Sequence, residues 1–339
     1  MAGWSDADLP RFVWHDRTMT VAVDLDSVLD EQHAGVVAML PPDLLDLSDI
    51  PAARARLEGL LAMLPAPPPP ENVTVSEASA PSLDGAPDVR LKIYTPDGLE
   101  PGAPAIYWIH GGGMVLMSAD SDDLLCATRA ANHGCVVVSV DYRLAPETPA
   151  PGLVDDCFAG LTWLAEHADE LGVSADRIMI GGASAGGGLA AGTALRARDE
   201  GGPALVGQLL VFPMLDHRND TASSEAIQDL RVWNRSANQA AWAAYLGDEE
   251  PSAYSSPALA DDLGGLPPAY INVGTFDMFL DEDIAYAMEL NRAGVACELH
   301  VYPGAFHGSN GFLPDHPTSV RWRDDEDAFI ARTLHSAAT

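Results

Sequence analysis

The feature that most restricts the fold of this chain is an alternation of short apolar runs with longer segments of helical periodicity, which begins near residue 73. The middle runs are almost continuously apolar, as is typical of strands that are covered on both faces of a sheet. This alternation predicts an α/β protein with a mostly parallel, eight-stranded sheet flanked by helices. The first two strands follow each other closely, which favours an antiparallel hairpin at that edge. The predicted strands are residues 73–77, 89–94, 105–109, 135–140, 177–180, 205–212, 269–273 and 297–302, and the predicted helices lie near 121–133, 153–171, 185–199, 281–293 and 319–335.

Two segments interrupt this alternation. The first, residues 1–70, is predicted to be helical, because four leucines recur at the spacing of one helix face before a run of four prolines that no helix survives. The second, near residues 214–265, contains one predicted helix, 236–247, and three aromatic residues, and we interpret it as a lid over one edge of the sheet. The leucines are Leu57, Leu60, Leu61 and Leu64, and the aromatic residues are Trp233, Trp242 and Tyr245.

The charge balance argues against several classes of function. The chain has 18 Lys and Arg residues against 50 Asp and Glu residues, a formal net charge of −32. So acidic a surface repels nucleic-acid backbones and anionic membranes. Lys92 is the single lysine and is not part of a phosphate-binding loop. We therefore expect neither a nucleic acid nor a membrane as a partner.

The cysteine spacing and the N-terminal residues indicate the cellular compartment in which we expect the protein. The four cysteines form no C-x-x-C pair and no zinc-like set, and most lie in or beside apolar stretches, as buried thiols do in a reducing compartment. No basic and apolar leader and no run of about 18 apolar residues is visible. We expect a cytoplasmic protein without a membrane span, and a homodimer is left open. The cysteines are Cys126, Cys135, Cys157 and Cys297.

The strongest local pattern is Gly182-Ala183-Ser184-Ala185-Gly186, which follows the predicted strand 177–180 and opens a helix rich in alanine and glycine. A serine in so tight a strand-to-helix turn projects its hydroxyl away from the sheet, and glycines flank it because the turn leaves little room for side chains. A glycine-rich turn without chemistry is the alternative. The G-x-G-x-x-A string at 186–191 lies inside the predicted helix, so we set dinucleotide binding aside.

A second pattern, His110-Gly111-Gly112-Gly113, follows the predicted strand 105–109 directly. Three consecutive glycines allow backbone N–H groups to converge on one point, as acyl transfer requires where a carbonyl oxygen becomes negative. A flexible turn is the alternative. Two such loops at strand ends of one sheet favour the catalytic interpretation, in which His110 shapes the loop.

A nucleophilic serine needs a base and an acid that orients the base. His307 follows the last predicted strand, where its loop can reach back over the sheet, and Asp277 follows the strand 269–273. Asp141 is a weaker rival for the acid, and residues 281–283 are interpreted as the acidic first turn of a helix. The remaining histidines are interpreted as bystanders: His15, His33, His133, His167, His217, His300, His316 and His335.

With Ser184, Asp277 and His307 in this order, the chain resembles the bacterial hormone-sensitive-lipase-like esterases, a branch of the α/β-hydrolase fold with His-Gly-Gly-Gly upstream of Gly-x-Ser-Ala-Gly. The resemblance extends from about residue 85 to residue 335. Its matching pieces are residues 110–113, 141–147, 182–186, 277–282 and 302–308.

The resemblance implies a serine carboxylesterase that hydrolyses short-to-medium-chain acyl esters through an acyl-enzyme, with no metal and no organic cofactor. It implies that Ser184 is the nucleophile, His307 the base and Asp277 the acid. It also implies an oxyanion hole formed by the backbone N–H groups of Gly112, Gly113 and Ala185.

The family's architecture implies that residues 1–70 and 214–250 form a helical cap. Residues 71–213 and 251–339 then form the two parts of the α/β-hydrolase core. The chain departs from the family pattern at Ala183, at Met114 and in the segment after Asp277, which puts the fit of the substrate in question. The predicted pocket lining is Met114, Met214 and Trp233, with Trp4 and Trp14 as further candidates.

Two alternatives to a carboxylesterase remain at this point. The same three residues could cleave an amide, a lactone or a carbamate. A binding protein is the other alternative, since the fold includes plant hormone receptors that have lost the histidine, whereas all three positions are occupied in this chain.

Overall fold

The computed structural model describes residues 22–63 and 68–335, and its strands form one eight-stranded sheet. Leu64, Trp4 and Trp14 lie outside the described residues. The strands are β1 (Val73–Ala80), β2 (Val89–Pro96), β3 (Ala103–Ile109), β4 (Val136–Asp141), β5 (Val173–Ala183), β6 (Gly207–Val211), β7 (Ala269–Phe276) and β8 (Cys297–Phe306).

The strand order is β1-β2-β4-β3-β5-β6-β7-β8. Strand β2 is antiparallel to both of its neighbours, β1 and β4. All other pairs are parallel. The predicted α/β sheet and the antiparallel hairpin at its edge are therefore confirmed.

The helices cover both faces of the sheet and one end of it. They are α1 (Leu25–Val28), α2 (Glu31–Met39), α3 (Ile50–Leu61), α4 (Asp123–His133), α5 (Gly152–Glu166), α6 (Ala185–Glu200), α7 (Ala222–Ala226), α8 (Arg235–Leu246), α9 (Leu280–Arg292), α10 (Ser309–Phe312) and α11 (Pro317–His335). None of these helices combines the length and the apolar character that crossing a bilayer requires.

Alternation along the strands divides the core into two layers. In β3, Ile106 and Trp108 pack against α4 and α11, whereas Tyr107 and Ile109 pack on the layer that includes α5, α6 and α9. Successive side chains of a strand point to opposite faces, so a strand with helices on both sides must be apolar throughout. This explains the continuous apolar runs of the sequence.

Some element boundaries differ from the prediction. Strand β5 is longer than the predicted 177–180, because it pairs with β3 from Val173 and continues into the glycines that precede Ser184. Helix α5 ends at Glu166 rather than residue 171, and the turns that follow include Gly172 at φ +71°. Positive φ is accessible to glycine but ends a regular helix.

Two backbone hydrogen bonds connect the N-terminal segment to the segment that interrupts the alternation. The Val23 N–H donates to Ala226 O at 2.8 Å, and the Leu45 N–H donates to Leu230 O at 3.0 Å. The predicted helix 236–247 corresponds to α8, whose first turn is capped by the Asn234 side chain. The two segments thus form one layer, here called the cap layer (residues 22–63 and 214–250).

Candidate active site

Four polar residues of the predicted site directly follow strands of the parallel part of the sheet. Ser184 follows β5, His110 follows β3, Asp277 follows β7 and His307 follows β8. The C-terminal ends of parallel strands lie at one edge of a sheet, which is where α/β proteins place their ligands. The topology therefore brings together residues that are far apart in sequence.

Ser184 occupies a sharp turn between β5 and α6. Its backbone has φ +57° and ψ −121°, a conformation that is rare for a residue with a side chain. A β-carbon built on Gly182 would overlap the carbonyl of Gly186, and one on Gly186 would overlap the carbonyl of Ile109. The flanking glycines are thus required by space, as the sequence pattern predicted.

The structure brings Ser184, His307 and Asp277 into one hydrogen-bonded chain. The Ser184 Oγ lies 2.9 Å from His307 Nε2, and His307 Nδ1 lies 2.8 Å from Asp277 Oδ2. Asp277 can only accept when ionised, so the ring carries its proton on Nδ1 and leaves Nε2 to accept from the serine hydroxyl. The second Asp277 oxygen accepts the Phe279 N–H at 3.0 Å, which fixes the carboxylate.

Aromatic rings enclose His307. Phe212 and Phe279 contact the imidazole edge-to-face, with centroids 4.6 Å and 5.2 Å away. The Trp233 ring lies 6.3 Å away on the cap side. The rings limit the rotation of the imidazole and restrict water, which strengthens the polar interactions within the triad.

The rival acid, Asp141, is engaged elsewhere. One of its oxygens accepts the Ala119 N–H at 3.0 Å, and the other lies 3.3 Å from Arg90 Nη1. Asp141 therefore helps to position the loop after β3 rather than the histidine.

The triple-glycine loop leaves backbone donors free beside the serine. The Gly112 carbonyl accepts the N–H groups of Val115 and Leu116, so that carbonyl faces into the loop. Within the described residues, no hydrogen bond uses the N–H groups of Gly112, Gly113 or Ala185. Gly112 and Gly113 also line the cavity above Ser184. The arrangement can accommodate a developing negative charge on oxygen.

His110 shapes this loop, and its ring bonds to the loop backbone rather than to the triad. The ring stacks on Tyr142 with centroids 4.1 Å apart, and Nδ1 lies 2.8 Å from Gly111 O. Burial lowers the pKa of His110, which keeps the ring uncharged near neutral pH. The Tyr142 hydroxyl donates to the His110 carbonyl at 3.0 Å and holds the start of the loop.

A cavity of about 370 Å³ lies between the triad and the cap layer. Its walls are mostly apolar, and its volume is in the range of small-molecule sites. Trp233 lines the cavity from the cap side. The cap layer adds four leucines that the prediction did not assign to a pocket: Leu44, Leu45, Leu57 and Leu61.

Met114 and Met214, which were predicted to line the pocket, are not among the residues that line this cavity. Both side chains are fully buried. Met114 has φ +67°, which turns the chain away from the cavity after Gly113, and its carbonyl accepts the Ala145 N–H. Met214 packs behind the elbow, where its N–H donates to Ser184 O at 2.9 Å.

Two carboxyl groups beside Asp277 were interpreted only as an acidic helix turn, but Glu282 and Asp283 of α9 are buried. Burial raises the pKa of each well above its usual range. Glu282 Oε1 accepts the N–H groups of Leu215 and Asp216 and so ties α9 to the chain after β6. No sequence signal separates these carboxyl groups from Asp281 beside them, which is only partly buried.

Within the described residues, one group of side chains has the composition of a metal site: Asp30, His33 and His316. His316 Nδ1 accepts the Thr318 N–H at 3.2 Å, so the neutral ring carries its proton on Nε2, which faces Asp30 at 3.7 Å. His33 Nδ1 also faces Asp30, at 2.5 Å. A metal ion would need lone pairs where these rings present protons. The geometry favours a hydrogen-bonded link between α2 and the start of α11.

The chain is similar in sequence to known esterases. A family model described as the alpha/beta hydrolase fold matches residues 106–310. Carboxylesterase NlhH of Mycobacterium tuberculosis is 35% identical over 296 residues, which are 85% of this chain and 90% of that protein. Esterase LipI of the same organism is 36% identical over 310 residues, which are 87% of this chain and 94% of that protein.

The chain is also similar to solved structures. A bacterial heroin esterase superposes with a TM-score of 0.87 at 41% sequence identity, and the match covers 91% of this chain and 99% of that one. A thermostable esterase from Pseudomonas putida superposes with a TM-score of 0.84 at 28% identity, with coverage of 92% and 99%. The similarity thus includes the cap layer as well as the sheet.

Proposed function

This chain belongs to the α/β-hydrolase-fold family, in its hormone-sensitive-lipase-like branch, and is a carboxylic ester hydrolase; on that premise we propose that it works through a Ser184–His307–Asp277 triad and an acyl-enzyme. One observation carries the proposal. The Ser184 Oγ is 2.9 Å from His307 Nε2, while His307 Nδ1 is 2.8 Å from Asp277. These separations permit proton transfer from serine to imidazole.

The reaction has two halves. As the Ser184 Oγ attacks the ester carbonyl, its proton passes to His307 Nε2, and the Asp277 carboxylate stabilises the resulting imidazolium. His307 then donates that proton to the leaving alcohol oxygen, and the C–O bond of the ester breaks. In the second half, water loses a proton to Nε2 and attacks the acyl carbonyl. The bond between the acyl carbon and Ser184 Oγ then breaks, the proton on Nε2 passes to Oγ, and the acid is released, which restores Ser184 and His307.

The oxyanion is assigned to the free N–H groups of Gly112, Gly113 and Ala185. Ala185 is the first residue of α6, so its N–H belongs to the unpaired donors at a helix N-terminus and points with the positive end of the helix dipole. Loss of one such donor reduces the rate by about 10²–10³-fold in a serine protease that uses the same kind of oxyanion hole. The backbone supplies all three, so no side-chain substitution removes them directly.

The substrates are assigned as small esters with short-to-medium acyl chains. The cavity has about 370 Å³ and leucine-rich walls, so each further methylene that it buries adds about 0.8 kcal/mol, or about fourfold in kcat/KM. This increase in kcat/KM per methylene ends when the acyl chain of the substrate fills the cavity. Esters longer than that must leave the tail in water or displace the cap layer.

The triad is tested with Ser184→Ala, assayed on p-nitrophenyl butyrate. We expect kcat to fall by about 10⁶-fold, with an unchanged thermal unfolding curve. The matched control is Ser76→Ala, which removes an exposed hydroxyl of β1. A fluorophosphonate should label wild type and the control on the peptide that contains Ser184, and leave Ser184→Ala unlabelled. A folded Ser184→Ala variant with the wild-type rate would refute the mechanism.

Chain-length preference is tested with p-nitrophenyl acetate, butyrate, hexanoate, octanoate and dodecanoate. We expect kcat/KM to rise and then fall within this series, with its maximum before dodecanoate. A continued rise to dodecanoate would contradict the assignment of short-to-medium acyl chains while leaving the triad intact.

A further inference from the structure

One part of the cavity wall differs from the rest. Ser184 and His307 share the cavity with Trp108, Asp122, Arg129 and Glu326, whereas most other lining residues are apolar. Arg129 belongs to α4 and Glu326 to α11, so this polar wall lies on the sheet side of the cavity rather than in the cap layer. In a mostly apolar site, a few fixed polar groups determine orientation and specificity.

The Arg129 guanidinium is held in place from two sides. Its Nη2 donates to Glu326 Oε2 at 2.6 Å, and its Cζ lies 4.2 Å from the centroid of the Trp108 ring. Glu326 is fixed in turn, because its other oxygen accepts from Asn272 Nδ2 and from Trp322 Nε1, each at 2.8 Å. A guanidinium with both a carboxylate and an aromatic face as partners has little freedom to rotate.

The contacts with Glu326 and Trp108 do not use every donor of the Arg129 guanidinium. The residue is only 5% exposed, and within the described part of the chain its Nη1 has no hydrogen-bond partner. A buried donor without a partner is unfavourable, so a ligand oxygen that reaches it gains affinity that a hydrocarbon of the same shape cannot gain.

The surrounding charges select an uncharged acceptor. Glu326 already balances the positive charge of Arg129 at 2.6 Å. Asp122, the other carboxyl group of this wall, accepts the Trp108 indole N–H at 2.7 Å, and burial raises its pKa. A carboxylate on the substrate would add a further negative charge beside Glu326, whereas a carbonyl or ether oxygen would accept a hydrogen bond without that repulsion.

We propose that Arg129 is a specificity-determining residue that donates a hydrogen bond to a second, uncharged oxygen of the ester substrate, such as a ketone or an ether. The preferred substrates are therefore esters with an oxygen function in addition to the scissile group, in the acyl part or in the alcohol part. This inference rests on the ester hydrolysis proposed above and deepens it.

Two pairs of substrates test the inference and distinguish the two positions. The acyl pair is p-nitrophenyl hexanoate and its analogue with a ketone at the fifth carbon. The alcohol pair is butyl butyrate and methoxyethyl butyrate, in which an ether oxygen replaces one methylene. For each pair, the ratio of kcat/KM values is divided by the ratio of the rates with hydroxide, which removes intrinsic reactivity. In wild type we expect at least one corrected ratio to favour the oxygenated ester by about tenfold or more.

The test variant is Arg129→Met with Glu326→Gln, which removes the guanidinium without leaving an unpaired charge and retains an oxygen for Asn272 and Trp322. Its corrected ratio should fall to about one. The matched control is Arg196→Met with Asp155→Asn: Arg196 also lies over an aromatic ring and binds a carboxylate, but outside the cavity. The control should keep the wild-type ratio.

Several outcomes overturn the inference. Corrected ratios near one for both pairs in wild type exclude a donor for a second oxygen. A wild-type preference that survives in the Arg129 variant assigns it to another group and leaves Arg129 a purely structural role. A succinate-type, anionic acyl group that is preferred over the ketone would contradict the argument from charge. In every case, hydrolysis of the unsubstituted esters by wild type reports separately on the proposed function. If the double variant does not fold, Arg129→Lys is the substitute. Its ammonium keeps the charge beside Glu326 but lacks the planar fork that places a second donor, so the corrected ratio should again fall toward one.

Discussion

A β-carbon built on Gly113 would overlap Cη2 of Trp233. Gly113 belongs to the loop after β3, and Trp233 belongs to the cap layer, just before α8. The indole is held in turn by a hydrogen bond from its Nε1 to Asn238 Oδ1 at 3.1 Å. The cap layer thus rests directly on the glycine loop beside Ser184, and the position of one depends on that of the other.

Gly113→Ala should therefore impair catalysis. The residue has φ +60°, which is unfavourable for alanine, and the new methyl group must displace either the Trp233 indole or the loop. Because displacement of one oxyanion donor is sufficient, we expect kcat/KM for p-nitrophenyl butyrate to fall by at least about 10²-fold.

Gly98→Ala is the matched control for this substitution. Gly98 also has a positive φ, +72°, but a β-carbon built on it would meet nothing within 4 Å. It should reproduce the backbone strain without the loss of rate. Equal losses in both variants would show that strain alone, and not contact with Trp233, accounts for the effect.

Asp277→Asn should reduce kcat by about 10⁴-fold, as the corresponding change does in a serine protease, because an amide no longer holds His307 in the required tautomer. The backbone contact with the Phe279 N–H is retained by the amide oxygen, so the free energy of unfolding should change little. Asp281→Asn is the control, since that carboxylate accepts the Ser223 N–H and not the histidine. Steady-state kinetics of both variants provide the measurement. A similar loss of kcat in both would exclude a specific role for Asp277.

Arg54 should contribute more to stability through two carbonyl groups than through its ion pair. Its Nε donates to Val115 O at 2.7 Å and its Nη2 to Ala145 O at 2.9 Å, and both Nη groups bind Glu147. Arg54→Met should lower the free energy of unfolding by about 1–3 kcal/mol, because it leaves these carbonyl groups without their donors.

Glu147→Gln separates the contribution of the ion pair from that of the two hydrogen bonds to carbonyl groups. Glu147 is 61% exposed, so loss of its charge should change the free energy of unfolding by less than about 1 kcal/mol. Urea unfolding of both variants provides the measurement. Since α3 also lines the cavity through Leu57 and Leu61, Arg54→Met should in addition raise KM. Equal destabilisation by the two variants would assign the effect to the ion pair.

Asp283 should make the protein less stable as the pH rises. Burial raises its pKa well above the usual range, and neither oxygen has a partner among the described residues. The folded state therefore retains a proton that the unfolded state releases, so this contribution to stability is complete below the unfolded pKa and is lost as the pH rises toward the folded pKa. Glu282 acts in the same direction.

Asp283→Asn removes one of these two titrations. The variant should become more stable relative to wild type as the pH rises from the ordinary carboxyl pKa of about 4 toward alkaline pH, because the neutral amide has no ionised form to desolvate. Denaturant unfolding across this range measures the difference between the two proteins. Parallel pH profiles would show that Asp283 does not titrate differently in the two states.

Much of the fold could be predicted because its causes are local. The apolar runs of β3 and β4 require cover on both faces, and the glycines around Ser184 are needed where the backbone turns sharply. Both depend on neighbours in sequence, through alternation of side chains and hard-sphere contacts. The prediction was weaker at element ends, as at α5, where turn residues decide the boundary.

The sequence by itself determined the type of sheet, the elbow and the order of the candidate triad residues. Only the tertiary structure decided that Met114 and Met214 are buried away from the cavity, that Glu282 and Asp283 differ from Asp281, and that Arg129 of α4 meets Glu326 of α11. These properties depend on which elements lie beside one another after packing. Burial and pairing between distant residues are set by the approach of whole helices and strands, and no short stretch of sequence encodes that approach.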